Sequence, residues 1–278
     1  MGKRSARSTA RQVQRRPQPR KRISLIRPWG WVDVAWLMLA LLIAGGLTVV
    51  LLGNHFTALM PAEGVVGMRV VLLIVFYLIL LMILAYRAHC RNLSFMRAYR
   101  LKPLSDDELR AQYALSGVAE DDDEPLNFMP AWKSVLLVLG LFLVLRTFAI
   151  VYTYVTAELG WIMPPATSLT DLFSPTLFGL IAAVMSIVIL APFVEELVFR
   201  VVVFNTFARK ISFVAAVMLQ GLIFSFYHFS LWAALPNFLL ALACVYLIQK
   251  CRTSLPAISL HVLYNAAVVA AAFYLAMT

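Results

Sequence analysis

Long apolar runs alternate with short polar connections along most of the chain. Each run is close to the roughly 20 residues that a helix needs to cross the bilayer core. The runs lie near 31–53, 65–86, 132–155, 177–208, 211–229, 231–249 and 254–276. They are continuous and lack the alternation of a strand, which favours helices over a β-barrel. The pattern predicts an all-α, polytopic membrane helix bundle with about seven transmembrane helices, within a range of six to eight.

The composition fits this membrane setting. Of the 278 residues, 62% are hydrophobic and 14% are charged, and the mean hydropathy is +0.83. A soluble globular domain has roughly half its residues apolar and about a quarter charged. An ordinary soluble enzyme is therefore excluded.

The placement of charge predicts the topology. Ten Lys and Arg occur in residues 1–27, and further basic residues cluster in alternate connections. The connections near 54–64, 156–173 and 229–231 hold no Lys or Arg. By the positive-inside tendency, we expect a cytoplasmic N-terminus and an outer C-terminus in a bacterial cytoplasmic membrane. The net charge of +10 then indicates contact with anionic lipid rather than with nucleic acid.

Three regions follow from these features. Residues 1–27 form a basic cytoplasmic tail that we expect to be disordered. Residues 28–131 contain two transmembrane helices and a polar cytoplasmic loop, and residues 132–276 contain five spans. The chain shows no internal repeat, which disfavours a transporter built from repeated halves. The cysteines are odd in number and lack metal-like spacing, which predicts three free thiols, at Cys90, Cys244 and Cys251.

Ionisable residues within apolar spans are functional candidates, because a charge inside the membrane is costly. The fourth run carries two adjacent acids, Glu195 and Glu196, with Arg200 four residues after the second. On a helix, Glu196 and Arg200 share a face and can pair, whereas Glu195 points about 100° away. Pro192 removes a backbone donor just before them and can free a carbonyl.

Two later runs add histidines. His228 ends the fifth run, and His261 lies four residues before Asn265 in the seventh, so both can face one cavity. Each residue also has a purely structural interpretation: an interfacial His, a neutralised ion pair, or hydrogen bonds that join helices. In the third run, Arg146 is also intramembrane, and we expect Glu195 or Glu196 as its partner.

These motifs resemble the CAAX protease and bacteriocin-processing family, which includes the Ras-converting enzymes. The family pattern has two glutamates followed by three residues and then Arg, then Phe and His four apart, then His and Asn four apart. Here these are Glu195-Glu196 with Arg200, Phe224 with His228, and His261 with Asn265. The resemblance covers roughly 132–276, which would form a CAAX-protease-like membrane catalytic domain. Val201 departs from the Gly that many members have after the Arg.

The resemblance implies an intramembrane endopeptidase that acts on a membrane-associated peptide or protein. Glu195 would be the general base for a water held with His228, and His261 and Asn265 would donate to the oxyanion. Glu196 and Arg200 would support the site. A buried carboxylate that acts as a base, and donors aimed at the developing negative charge, both suit peptide hydrolysis.

Metal use stays open at this stage. The chain lacks a His-Glu-x-x-His helix, the usual zinc-protease signature. Glu195, His228 and His261 could supply ligands to a divalent metal such as zinc. The resemblance to the Ras-converting branch favours a metal-free glutamate mechanism. The main alternative function is a non-catalytic membrane scaffold or immunity-type protein with the same fold.

Overall fold

A computed structural model describes residues 29–52, 62–103, 105, 129–161, 168–228 and 230–277. Within these ranges the chain is helical and has no strand, which confirms the all-α prediction for this part. Its helices are α1 (Trp31–Leu52), α2 (Ala62–His89), α3 (Phe95–Ala98), α4 (Ala131–Glu158), α5 (Ser168–Phe173), α6 (Leu177–Ala208), α7 (Phe213–Tyr227), α8 (Leu231–Cys251) and α9 (Leu255–Met277). The basic tail and most of the polar loop, about which we made predictions, lie outside the described residues.

Each of the seven predicted spans corresponds to an apolar helix. Five helices in the described ranges are long and apolar enough to cross a membrane, namely α4, α6, α8, α9 and the Val66–His89 part of α2. Two shorter apolar helices are Trp31–Ile43 and Phe213–Tyr227. Large apolar side chains such as Leu143 and Val144 face outwards on α4. The protein is therefore an integral membrane helix bundle, because such a surface is stable against lipid and unfavourable in water.

Helix α6 lies at the centre of the bundle. Its residues from Val194 to Phe207 are all buried, and α1, α2, α7, α8 and α9 pack around it. A helix that is apolar on every side is typical of such a central position. Two stretches, Val184–Leu190 and Leu197–Val203, have π-helical turns on either side of the α-helical Ala191–Glu196. Such wide turns are frequent at functional sites.

A polar network joins the first two helices at one end of the bundle. Asp33 of α1 accepts hydrogen bonds from Arg87 and Arg91 at the end of α2. The guanidinium of Arg91 also stacks 4.4 Å from the ring centroid of Trp29. One acid shared by two arginines fixes the two helices to each other.

The segment after α2 reaches the helices that carry the site. Arg100 donates to Asn205 Oδ1 of α6 at 3.1 Å, and Ser254, just before α9, donates to the Tyr99 carbonyl at 2.9 Å. Residues before and after position 131 therefore share one set of buried contacts. The division of the chain at that position stays a prediction.

Helices α7 and α8 pack closely. A Cβ atom on Gly221 of α7 would lie 2.9 Å from the Phe238 ring of α8, so a side chain there would require that ring to shift. Ser225 of α7 donates to the carbonyl of Ala234 of α8. These contacts hold the end of α7, where His228 lies.

Candidate active site

The adjacent glutamates on α6 have different hydrogen-bond partners, and His261 lies between them. Glu196 Oε1 lies 3.1 Å from Arg200 Nη2 and 2.9 Å from His261 Nδ1. Both Glu196 and Arg200 are buried, and the Arg200 guanidinium lies 4.2 Å from the Phe224 ring centroid. Glu196 is thus held in a buried ion-paired cluster, as the four-residue spacing to Arg200 predicts.

Glu195 divides its two oxygens between different neighbours. The hydroxyl of Tyr77, from α2, donates to Oε1 at 3.1 Å. Oε2 lies 4.0 Å from His228 Nε2 and 3.9 Å from His261 Nε2. One oxygen is therefore fixed by a direct hydrogen bond, and the other faces two imidazoles across a gap that exceeds hydrogen-bond length.

The contact that Nδ1 makes in each imidazole decides which nitrogen carries the hydrogen and which one faces Glu195. His228 Nδ1 lies 2.9 Å from the Phe224 carbonyl oxygen, which can only accept. His261 Nδ1 lies 2.9 Å from Glu196 Oε1, whose pairing with Arg200 favours the acceptor form. Both Nδ1 atoms therefore donate, and both Nε2 atoms face Glu195. His261 is buried, and 30% of the His228 side chain is exposed, so the site opens at His228.

Asn265 caps a carbonyl next to the site. Its Nδ2 donates to the backbone oxygen of Ile187 at 3.0 Å. In this π-helical turn the Ala191 N–H bonds to the Ser186 oxygen, five residues back. The next carbonyl in that register, Ile187, would need an N–H from Pro192, and proline has none. Asn265 supplies the missing donor and keeps a second amide hydrogen free to face elsewhere.

The structure brings five of the six predicted site residues into one contact network: Glu195, Glu196, Arg200, His228 and His261. Asn265, the sixth, lies one helical turn after His261 and contacts α6 through Ile187 instead. The expected partner of Arg146 was wrong. Its guanidinium lies 5.3 Å from the Tyr264 ring centroid, because Arg200 already balances Glu196 from the same helix.

Among the described residues, no group of three His, Cys, Asp or Glu side chains is arranged to hold a metal ion. Glu195, His228 and His261 thus lie near one another without forming such a ligand set.

Sequence reasoning missed Tyr77. It is buried within an otherwise apolar stretch of α2, and its contact to Glu195 joins residues 118 positions apart. A single polar aromatic in the middle of an apolar run was the available signal, because a buried Tyr hydroxyl usually finds a partner.

Comparison with protein families identifies one segment. Residues 177–267 match the family model described as Rce1-like, "Type II CAAX prenyl endopeptidase Rce1-like". Over this segment the chain is similar to the Rce1-like family. The Rce1-like segment runs from α6 to the middle of α9, contains all three motifs, and is narrower than the 132–276 expected. Helix α2 with Tyr77, and α4 with Arg146, precede it.

Comparison with curated proteins and with solved structures finds no match to the chain. The similarity of residues 177–267 to this family indicates a protease of the CAAX type. The roles of individual residues depend on the geometry described above.

Proposed function

We propose that the protein is an intramembrane endopeptidase in which Glu195 activates a water molecule. The observation that carries this proposal is the asymmetric setting of the Glu195 carboxylate. Tyr77 holds Oε1, while Oε2 faces the Nε2 atoms of His228 and His261 at about the same separation. A water placed between acceptors about 4 Å apart could make a hydrogen bond of about 2.8 Å to each.

The water would be oriented by two acceptors. His228 Nδ1 donates to the Phe224 carbonyl, so its Nε2 offers a lone pair. The two hydrogens of the water can point to His228 Nε2 and Glu195 Oε2, which leaves an oxygen lone pair for the substrate carbonyl. Glu195 then takes a proton as the water oxygen bonds to the carbonyl carbon.

His261 and Asn265 would serve the developing oxyanion. The His261 Nδ1 hydrogen is donated to Glu196, so Nε2 donates when the ring is protonated. Asn265 has a second amide hydrogen beyond the one given to Ile187. Donors aimed at an oxyanion in a dry site stabilise the transition state strongly. When the C–N bond breaks, Glu195 returns its proton to the leaving amine, which completes hydrolysis.

Glu196 and Arg200 would position the site without touching the substrate. Their buried pair holds His261 from behind and fixes the face of α6 that carries Glu195. Residues that hold catalytic groups within a fraction of an ångström contribute to rate through that placement.

The substrate class follows from the family of the matched segment. A CAAX sequence ends the substrate chain with a Cys, two aliphatic residues and a terminal residue, and the Cys carries a prenyl group. Cleavage after that Cys releases a tripeptide. We propose as substrate such a peptide, or another membrane-associated peptide whose C-terminus enters the bundle.

The test is cleavage of a peptide library, which includes farnesylated CAAX peptides, by the purified protein in detergent. The wild type is compared with Glu195→Gln and His261→Ala, each with and without a strong chelator. Glu158→Gln, at the exposed end of α4, is the matched control for the loss of one carboxylate. We expect a loss of at least about a thousandfold in kcat for Glu195→Gln and wild-type rates for Glu158→Gln.

Two results would change the conclusion. Absence of cleavage by a folded wild-type protein on all peptides would favour the non-catalytic scaffold. Activity that disappears with chelator and returns with zinc would require a metal at Glu195, His228 and His261.

A further inference from the structure

Arg146 is an intramembrane cation that forms no ion pair with an acid in the described part of the chain. It lies in the middle of α4, 13 residues after Lys133 and 12 before Glu158. Among the described residues, the contact of its guanidinium is the ring of Tyr264, at 5.3 Å from the centroid. Arginine stays charged in proteins, and an uncompensated charge at this depth is costly. The position therefore calls for an anion that the described part of the chain does not supply.

The groove beside Arg146 has room for a small anionic group. It has a volume of about 510 Å³ and is open to the outside of the bundle, since Ile150 and Tyr154 in its lining are exposed. Its lining is one face of α4, namely Arg146, Ala149, Ile150, Thr153, Tyr154 and Ala157. Arg146 is the only charged group in this lining, so the groove combines one fixed cation with apolar and hydroxyl surface.

Helix α9 connects the groove to the proposed catalytic centre. Tyr264, which contacts Arg146, lies three residues after His261, and side chains at that spacing are neighbours on a helix surface. Glu195 lies 14 residues from Arg209 and Tyr264 lies 12 from Arg252. At about 1.5 Å per residue, both are about 20 Å from their basic helix ends, as is Arg146 from Lys133.

We propose that Arg146, with Tyr264 beneath it, binds the C-terminal carboxylate of the peptide substrate. The inference rests on the proposed endopeptidase function. A carboxylate matches the planar fork of a guanidinium, and the Tyr264 ring face orients that fork. The three residues released from a CAAX end span about 10 Å when extended, so a carboxylate at Arg146 sets which bond reaches Glu195.

The depth of Arg146 in the membrane favours a peptide C-terminus over a lipid phosphate as the bound anion. Phosphate groups lie at the bilayer surface, outside a hydrocarbon core about 30 Å thick. Arg146 is about 20 Å along α4 from Lys133 and about 18 Å from Glu158. A membrane-associated peptide that enters the bilayer beside α4 can deliver its terminal charge to that depth.

The test compares two forms of one farnesylated CAAX peptide, with a free C-terminal carboxylate or a C-terminal amide. For the wild type we expect KM to be at least about tenfold lower for the acid. Arg146→Gln should raise KM for the acid by about that factor and change KM for the amide by less than about twofold. Arg146→Lys should restore part of the preference, because a point charge replaces the fork. Lys133→Gln, an exposed cation on the same helix, should keep the wild-type preference.

A binding measurement separates this inference from the proposed function. Fluorescently labelled acid and amide peptides are titrated into Glu195→Gln, with and without Arg146→Gln. The acid peptide could bind more tightly than the amide, and this preference could be lost in Arg146→Gln, although the wild type cleaves neither peptide. That result would support the anion site and reject the peptidase. Equal binding of both peptides, or an equal loss of both in Arg146→Gln, would overturn the anion site whatever the cleavage result.

Discussion

The Tyr77 hydroxyl donates to Oε1 of Glu195 across 3.1 Å, from a helix that precedes the Rce1-like segment. This bond leaves Oε2 as the oxygen that faces the two imidazoles. A carboxylate with two equivalent free oxygens could rotate and present either one. Tyr77 removes that freedom, so the N-terminal part of the chain contributes directly to the geometry of the proposed base.

Replacement of Tyr77 by Phe should therefore slow the reaction. We expect kcat to fall by about tenfold or more and KM to change little, because a hydrogen bond to a charged group contributes about 1.5–3 kcal/mol. Tyr86→Phe, at an exposed position of the same helix, is the control and should behave as wild type. Steady-state kinetics in detergent give both constants. A rise in KM with unchanged kcat would assign Tyr77 to substrate binding instead.

Loss of one member of the buried ion pair should destabilise the bundle. Arg200→Met leaves Glu196 buried with only His261 opposite it, and we expect a loss of about 3–5 kcal/mol. The double variant Glu196→Gln with Arg200→Met should recover part of this, because the uncompensated charge is gone. Thermal unfolding in detergent measures both, with exposed Lys133→Met as the control. Equal destabilisation by the single and double variants would contradict a charge-based cause.

The site shows what spacing along the chain can and cannot predict. Residues four apart on one helix must be neighbours, so the Glu196–Arg200 contact follows from the sequence alone. Contacts between helices do not follow from spacing. Tyr77 meets Glu195 across 118 positions, and Arg146 was wrongly paired with an acid because the packing of α4 against Tyr264 is not encoded locally.

Helix α6 gives a second example. Its length and apolar character were predicted from one continuous run, but its two π-helical stretches were not. Pro192 predicted a freed carbonyl, yet only the fold shows that the carbonyl is that of Ile187 and that Asn265 of α9 reaches it. The sequence identified six candidate side chains, and the backbone irregularity next to them depends on tertiary packing.

Cysteine labelling tests the predicted orientation. The structure confirms three free cysteines, of which Cys90 after α2 is exposed and Cys244 and Cys251 are buried. If the N-terminus is cytoplasmic, Cys90 faces the cytoplasm. A membrane-impermeant maleimide should then label inside-out vesicles and leave right-side-out vesicles unlabelled, and Cys90→Ser should remove the signal. Labelling of right-side-out vesicles alone would reverse the topology.

The pairing of Asn265 with the carbonyl next to Pro192 can be measured as a coupling. Asn265→Ala should leave the Ile187 oxygen without its donor, at a loss of about 1–3 kcal/mol in the free energy of unfolding. Pro192→Ala supplies a backbone N–H in the register that reaches Ile187. In the Pro192→Ala background, Asn265→Ala should therefore be less destabilising by about 1 kcal/mol.

Activity separates the two proposed roles of Asn265. If its second amide hydrogen serves the oxyanion, kcat stays low in the double variant even where stability is recovered, because a backbone N–H inside α6 cannot replace a donor on α9. Thermal unfolding and steady-state kinetics on the four proteins of this cycle give both answers. Recovery of both kcat and stability in the double variant would show that Asn265 is only a positioning residue. Additive effects of the two substitutions on stability would contradict the bond between Asn265 and the freed carbonyl.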